Sequence, residues 1–174
     1  LDANLLTVKD WKGKFQINEA YRPIAKALCK KFPELKHIPV DSIIFLDDTE
    51  SKGKTANKVK NAQIGKISDK WHEIIYQLTG RRFMYFMEFF KRNTGHMSSE
   101  QIILLVYHEL RHIGPDGDLV HHDIEEWANI YTRLGVDWSA TKRQLPDLLA
   151  ADVDWDSIKL TNLFTFPKGG NHNS

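Results

Sequence analysis

The sequence predicts an α+β domain, with a small, mostly antiparallel sheet packed against one central helix and a second helix following it. Three observations predict it. Apolar residues recur at helical spacing over 18–31 and again over 98–113. Two runs rich in β-branched and aromatic residues, 40–46 and 82–91, lie between those segments. The resulting order of helix, strands, helix, helix suits helices layered on a sheet.

In the first segment, residues 1–17 are mixed, with Trp11 and Phe15 as anchors. Asn18 is placed to cap a helix running to about Lys31. Tyr21, Ile24, Ala25, Leu28 and Phe32 form its apolar face, and Pro23 fits only because it falls in the first turn. Val40 to Leu46 reads as a strand ended by Asp47-Asp48. Residues 49–62 are polar and Lys-rich, a loop. Ile64 to Ile67 suggests a second strand. Ser68 to Leu78 fits either a short helix or an irregular excursion, broken by Thr79-Gly80.

Arg82 to Lys91 reads as a strand with two apolar faces, Phe83, Tyr85 and Met87 alternating with Met84, Phe86 and Glu88. Asn93-Thr94-Gly95 turns the chain. The central helix is expected over 98–113. Ser98 with Gln101 fits a capping box, and Ile102, Val106 and Leu110 follow at i, i+4, i+8. Leu104, Leu105 and Ile113 make this helix apolar nearly all round, so it should be buried. Gly114-Pro115 stops it. A loop over 114–122 leads to a second helix from about Asp123 to Leu134, with Asp123 and Glu126 as an acidic capping box and Gly135 at its end. Beyond it, Trp138 and Trp155 are anchors, a helix is expected near 141–150, and Lys168 to Ser174 is a frayed end.

The most informative residues lie on the central helix. His108-Glu109-Leu110-Arg111-His112 spells H-E-x-x-H. One helical turn separates the two histidines, so both point the same way. Two neutral imidazoles at that spacing can share one zinc ion, and Glu109 between them can take a proton from water. Two histidines and a glutamate on an apolar helix need a reason, because unpaired buried polar groups are costly. A zinc-dependent peptidase supplies it, with one Zn²⁺ per chain and Glu109 as general base.

Catalytic zinc takes three protein ligands and keeps one open position. The metzincin continuation asks for glycine at 115 and histidine at 118; Pro115 and Asp118 exclude it. His121, His122, Asp123, Glu125 and Glu126 are the downstream candidates, with His122 favoured. Asp123, Glu125 and Glu126 are also candidates to orient a ligand imidazole. Tyr107, Tyr131 and Arg133 could assist an oxyanion but suit structural or surface roles better. An extended substrate could add itself to an exposed edge of the 82–91 strand.

His108 to Ile113, followed by His122-Asp123-Ile124-Glu125-Glu126-Trp127, resembles the phage metallopeptidase family, which pairs an H-E-L-x-H-I helix with a downstream H-D-hydrophobic-E-aromatic signature. The layout is also similar to SprT-like zincins. Leu78-Thr79-Gly80 and the strand after it extend the likeness over roughly 40–134. The resemblance implies a zincin-like fold with a second ligand-bearing helix, zinc ligation by His108, His112 and His122, and a catalytic Glu109. For a phage-encoded protein it implies the cytoplasm of a bacterial host.

Composition narrows the alternatives. The 174 residues, 41% hydrophobic and 27% charged, suit a single domain, with a core over about 18–135 and a C-terminal extension over 136–174. Net charge is +1, so there is no global pull toward nucleic acid or membrane. A local basic stretch, Lys52, Lys54, Lys58, Lys60, Lys66 and Lys70, leaves a DNA-associated role as one rival; a metal-bound inactive scaffold is the other. Cys29 is the single cysteine, which excludes an intrachain disulfide and a Cys-based zinc site and fits a reducing cytoplasm. The Cys29 thiol falls in an apolar helical pattern and reads as core. No signal peptide and no membrane-spanning run is seen, and the expected partner is a peptide or protein substrate.

Overall fold

The computed structural model describes residues 13–55, 58–122 and 126–158. In chain order its elements are β1 (Phe15–Ile17), α1 (Tyr21–Lys31), β2 (Ile43–Asp48), β3 (Lys54–Thr55), β4 (Lys58–Val59), β5 (Ala62–Lys66), α2 (Asp69–Thr79), β6 (Tyr85–Phe90), α3 (Lys91–Thr94), α4 (Ser99–Leu110) and α5 (Ala128–Leu134). The fold is α+β. A four-stranded sheet has the order β1-β2-β6-β5, and β3 pairs with β4 as a separate short ribbon.

Two of the three pairings in the larger sheet are antiparallel, β1 with β2 and β5 with β6. The central pairing, β2 with β6, is parallel and runs from Ile43↔Tyr85 to Asp48↔Phe90. A parallel pair cannot be joined by a tight turn. The long crossover from Thr49 to Met84 meets that need and carries the ribbon, β5 and α2.

Ile43 and Phe45 on β2, with Tyr85, Met87 and Phe89 on β6, are fully buried and make one face of the sheet. Tyr21 of α1 stacks on Phe89 with ring centroids 3.8 Å apart. The Tyr21 hydroxyl donates to Asp47 at 2.9 Å, so the one polar atom on that ring is satisfied inside the core. Ala25 and Leu28 continue the α1 face toward α4. The Cys29 thiol packs against this core and burial pushes it up to about 11, the behaviour of a small apolar side chain.

Helix α4 starts where the sequence predicts. The Ser98 hydroxyl accepts from the Gln101 N–H at 3.2 Å, and Gln101 Oε1 accepts from the Ser98 N–H at 2.9 Å. The helix is buried nearly all round, with Leu104, Val106, Tyr107 and Leu110 at 0% exposure. It ends earlier than residue 113. The N–H groups of His112 and Ile113 bond three residues back, to Glu109 at 3.1 Å and Leu110 at 3.0 Å. That tighter last turn follows from Gly114, whose N–H leaves the helix for Asp118 O at 2.8 Å.

Other expectations fail for local reasons. Phe15 is no anchor: it lies on an edge strand and is half exposed. Trp11 and residues 168–174 lie outside the described residues. The undecided segment after Ser68 is helix α2, closed by Gly80 at φ 68°. Residues 141–150 are not helical; Pro146 interrupts them, and the Thr141 hydroxyl accepts from the Arg143 N–H at 3.2 Å to make a turn. Leu145 and Leu148 are buried all the same, and with Trp138 and Trp155 they bring the C-terminal segment into the main core. Strand β6 has β2 on one side and β5 on the other, so it has no exposed edge. Its two apolar faces are the mark of a central strand, and the outer edge belongs to β5.

Gln101 joins the start of α4 to the C-terminal segment. Its amide nitrogen donates to the carbonyls of Trp138 at 3.2 Å, Ser139 at 3.1 Å and Thr141 at 3.3 Å. Gln101→Ala should therefore lower unfolding free energy by about 2–3 kcal/mol, combining a lost cap bond with orphaned carbonyls. A shift of the urea midpoint within the range of an ordinary surface substitution would reject this linkage.

Candidate metal centre

His108 lies in the last turn of α4, and His112 sits in the tightened turn just beyond. The chain then folds back on itself. Ile113 bridges Leu119, and the Val120 N–H donates to His112 O at 2.8 Å. The tip of this loop is tied to the sheet: the Tyr85 hydroxyl donates to Gly117 O at 2.7 Å, and Lys66 pairs with Asp118. Gly117 turns at φ 80°, a conformation that favours glycine. The returning strand of the loop brings His122 over the end of α4. One nitrogen from each of His108, His112 and His122 lies within 4.8 Å of the others. His108 Nε2 and His122 Nε2 face each other at 2.9 Å.

Protonation follows from the partners of the other ring nitrogens. His112 Nδ1 is 2.7 Å from the Val120 carbonyl oxygen, which can only accept, so Nδ1 carries the proton and Nε2 presents a lone pair. His108 Nδ1 is 2.6 Å from Glu126 Oε1, an acceptor-only carboxylate, which favours a proton on that nitrogen. Burial also holds the His112 imidazole below its ordinary pKa, which favours the neutral form. His108 and His112 thus turn Nε2 lone pairs inward, and His122 Nε2 meets His108 Nε2 at hydrogen-bond distance, an arrangement in which a bound cation can replace the shared proton. The donor set fits a metal ion that prefers nitrogen ligands.

Glu126 is the most heavily used side chain behind the histidines. Besides His108, it accepts the Trp127 backbone N–H at 2.8 Å and Trp138 Nε1–H at 3.0 Å. Burial works against its charge, yet these hydrogen bonds hold the carboxyl below its ordinary pKa. Trp127 Nε1 donates to His108 O at 3.0 Å and so ties down the open end of α4. The Trp127 ring also packs against both His112 and His122, with centroids 5.1 and 5.2 Å away, while those two imidazoles touch each other at 4.5 Å.

Glu109 is 5% exposed, and burial pushes its carboxyl up to about 7. It lies beside the outer edge of β5, near the Ile64 backbone N–H, which works weakly against that upward shift. The sheet register explains why that N–H is available. Asn61 and Ile67 hydrogen-bond to β6, through Phe90 N–H to Asn61 O at 3.0 Å and Ile67 N–H to Met84 O at 2.8 Å. Alternation then turns the backbone groups of Ala62, Ile64 and Lys66 outward. The histidines, Glu109 and this edge share a cleft of about 490 Å³.

The sequence candidates separate cleanly in space. His108, Glu109, His112 and His122 come together, whereas His121 lines the cleft but stands outside the cluster. Asp123 and Glu125 lie outside the described residues. Glu126 is the orienting carboxylate and not part of a helix cap: α5 begins only at Ala128, so His122 is carried by a loop. Tyr107 is fully buried and donates to Glu34 at 2.7 Å, Tyr131 is exposed, and Arg133 binds Trp155 O at 2.7 Å. All three are structural or surface groups. Trp138 as a partner of Glu126 was not foreseen, because a buried tryptophan in sequence signals only core.

A sequence-family model described as Putative phage metallopeptidase matches residues 13–148. No curated protein and no solved structure matches the chain.

Removing Glu126 should expose how much rests on it. Glu126→Ala leaves His108 Nδ1 and Trp138 Nε1 without a partner in a buried place, at a cost of about 2–4 kcal/mol in metal-free protein. Glu126→Gln should recover most of that stability while still weakening metal binding about tenfold or more. Urea denaturation and metal titration of the two variants separate these effects; equal stability of both variants would contradict the assignment.

Proposed function

The chain belongs to the phage metallopeptidase family, and from that premise we propose that it is a zinc peptidase held by His108, His112 and His122, with Glu109 as its general base. The observation that carries this reading is the convergence of three half-buried imidazoles beside a buried carboxyl, in a cleft bounded by the edge strand β5, which has no strand partner on that side among the described residues. Zinc is the metal that best suits three nitrogen ligands without a thiolate. When bound, it supplies Lewis acidity that acidifies water and polarises the scissile carbonyl.

The remaining work falls to the chain itself. Glu126 and the Val120 carbonyl fix the tautomers and planes of His108 and His112. Glu109 takes a proton from the attacking water and delivers it to the leaving amine nitrogen. Burial raises the Glu109 carboxyl, which strengthens it as a base toward that proton. The outward backbone groups of Ala62 and Ile64 can pair with an extended substrate, so the edge assigned from sequence to the 82–91 strand is replaced by β5.

Two measurements test this. Elemental analysis should find one zinc per chain, lost in His108→Ala, His112→Ala and His122→Ala and retained in His121→Ala. Loss of metal in His121→Ala with retention in His122→Ala would reject the ligand set. Glu109→Gln keeps the shape of the side chain but cannot accept the proton. It should retain zinc and lose peptide hydrolysis by about 100-fold or more. Undiminished cleavage by that variant would reject the mechanism.

A further inference from the structure

We infer that the cleft selects extended peptides carrying a bulky apolar side chain next to the bond at the metal centre, an inference that rests on the peptidase reading and adds its substrate class. The argument starts from what flanks the histidines. Beyond the metal cluster the walls are largely apolar, and several of their residues are open to solvent. Val59 on one wall is 57% exposed and Val136 on the other is 60% exposed. Leu119 and Val120, on the loop that brings in His122, are each 38% exposed. Leu105, one turn before His108 and Glu109 on α4, is buried at the floor of the same cleft.

Single exposed valines are ordinary on a protein surface. Four exposed aliphatic side chains on opposite sides of one cleft, above an apolar floor, are not scattered in that way. They form a trough that stays wet until something apolar fills it. Outside the metal cluster and its supporting carboxylates, Lys60 is the one Lys, Arg, Asp or Glu among the described lining residues. A basic side chain in the trough would meet that cation and, among the described lining residues, find no carboxylate other than Glu109 and Glu126. The outward backbone groups of Ala62 and Ile64 run along the same wall, so the occupant they fit is a polypeptide in extended form. In an extended strand alternate side chains point to one face, which is how a peptide held by this edge would present an apolar residue to the trough.

The decisive measurement separates binding from cleavage. End-blocked, fluorescein-labelled hexapeptides with leucine, aspartate or lysine at the two central positions are titrated into zinc-loaded Glu109→Gln protein, which should bind without turnover. The leucine peptide should bind at least about tenfold more tightly than either charged peptide, the discrimination expected of a single apolar pocket. Val59→Asp and Val136→Asp should each erase most of that difference while leaving the melting temperature unchanged, since both side chains are more than half exposed. Equal binding of the three peptides would overturn the inference, and so would a leucine preference that survives both substitutions. A concentration-dependent dimer of the unsubstituted chain, lost in Val136→Asp, would also overturn it by making the trough a self-association face. Hydrolysis by the unsubstituted protein reports separately on the peptidase reading: leucine-selective binding without cleavage rejects that reading alone, and cleavage without selectivity rejects the inference alone.

Discussion

The Glu126 carboxylate is the point on which the site depends. An apolar helix that ends in His108 and Glu109 carries polar groups into the core, and such groups are stable there only when hydrogen-bonded. Glu126 lies 2.6 Å from His108 Nδ1, and the Trp127 N–H and Trp138 indole compensate its own charge. One carboxylate thus fixes the tautomer of a histidine on α4, the chain direction entering α5, and the position of the segment after α5. Without it, the Nε2 lone pair of His108 has no fixed aim.

That dependence reaches the far end of the same helix. Gln101 at the start of α4 binds the carbonyls of Trp138, Ser139 and Thr141, while Trp138 binds Glu126 beside the end of α4. The segment after α5 therefore spans the helix from cap to metal centre. Trp127 closes the arrangement by binding His108 O, a carbonyl that the shortened helix leaves open. The short last turn and the returning loop are two sides of one event: the chain leaves the helix at Gly114, and the departure lets Val120 reach back to both faces of His112, backbone and ring.

Much of this was legible in the sequence, and the limits are physical. The capping box of α4, its all-round burial and the grouping of His108, Glu109 and His112 follow from local spacing, which a helix translates directly into direction; His122 was favoured among five downstream candidates and came as a ligand from the family resemblance. The sheet was harder. Val40–Leu46 and Arg82–Lys91 read as strands, but their parallel pairing is a long-range fact with no local signature. The two apolar faces of β6 did carry the information that it is central, and an exposed edge was incompatible with them. Residues 141–150 show the opposite failure: a helix was expected there, while Pro146 and the Thr141 turn set the backbone. Leu145 and Leu148 are buried without helical periodicity, because a loop can dock side chains as well as a helix can.

The division of labour between the two walls follows from how each is built. The wall formed by β5 is held by the ladder to β6 on its inner side, and at Gly65 it lies against the Phe86 ring, 2.4 Å from where a Cβ would stand. It cannot move inward, and its outward backbone groups stay at a fixed distance from Glu109. The opposite wall is loop, tied at Tyr85–Gly117, Lys66–Asp118 and Val120–His112. A ladder provides a regular row of donors and acceptors that ignores side-chain identity. Loops supply irregular side-chain surface that can differ between proteins of one fold. On the proposed peptidase reading, alignment of the peptide backbone would fall to β5, and selectivity mainly to Leu119, Val120, Val136 and Val59, which line the same cleft.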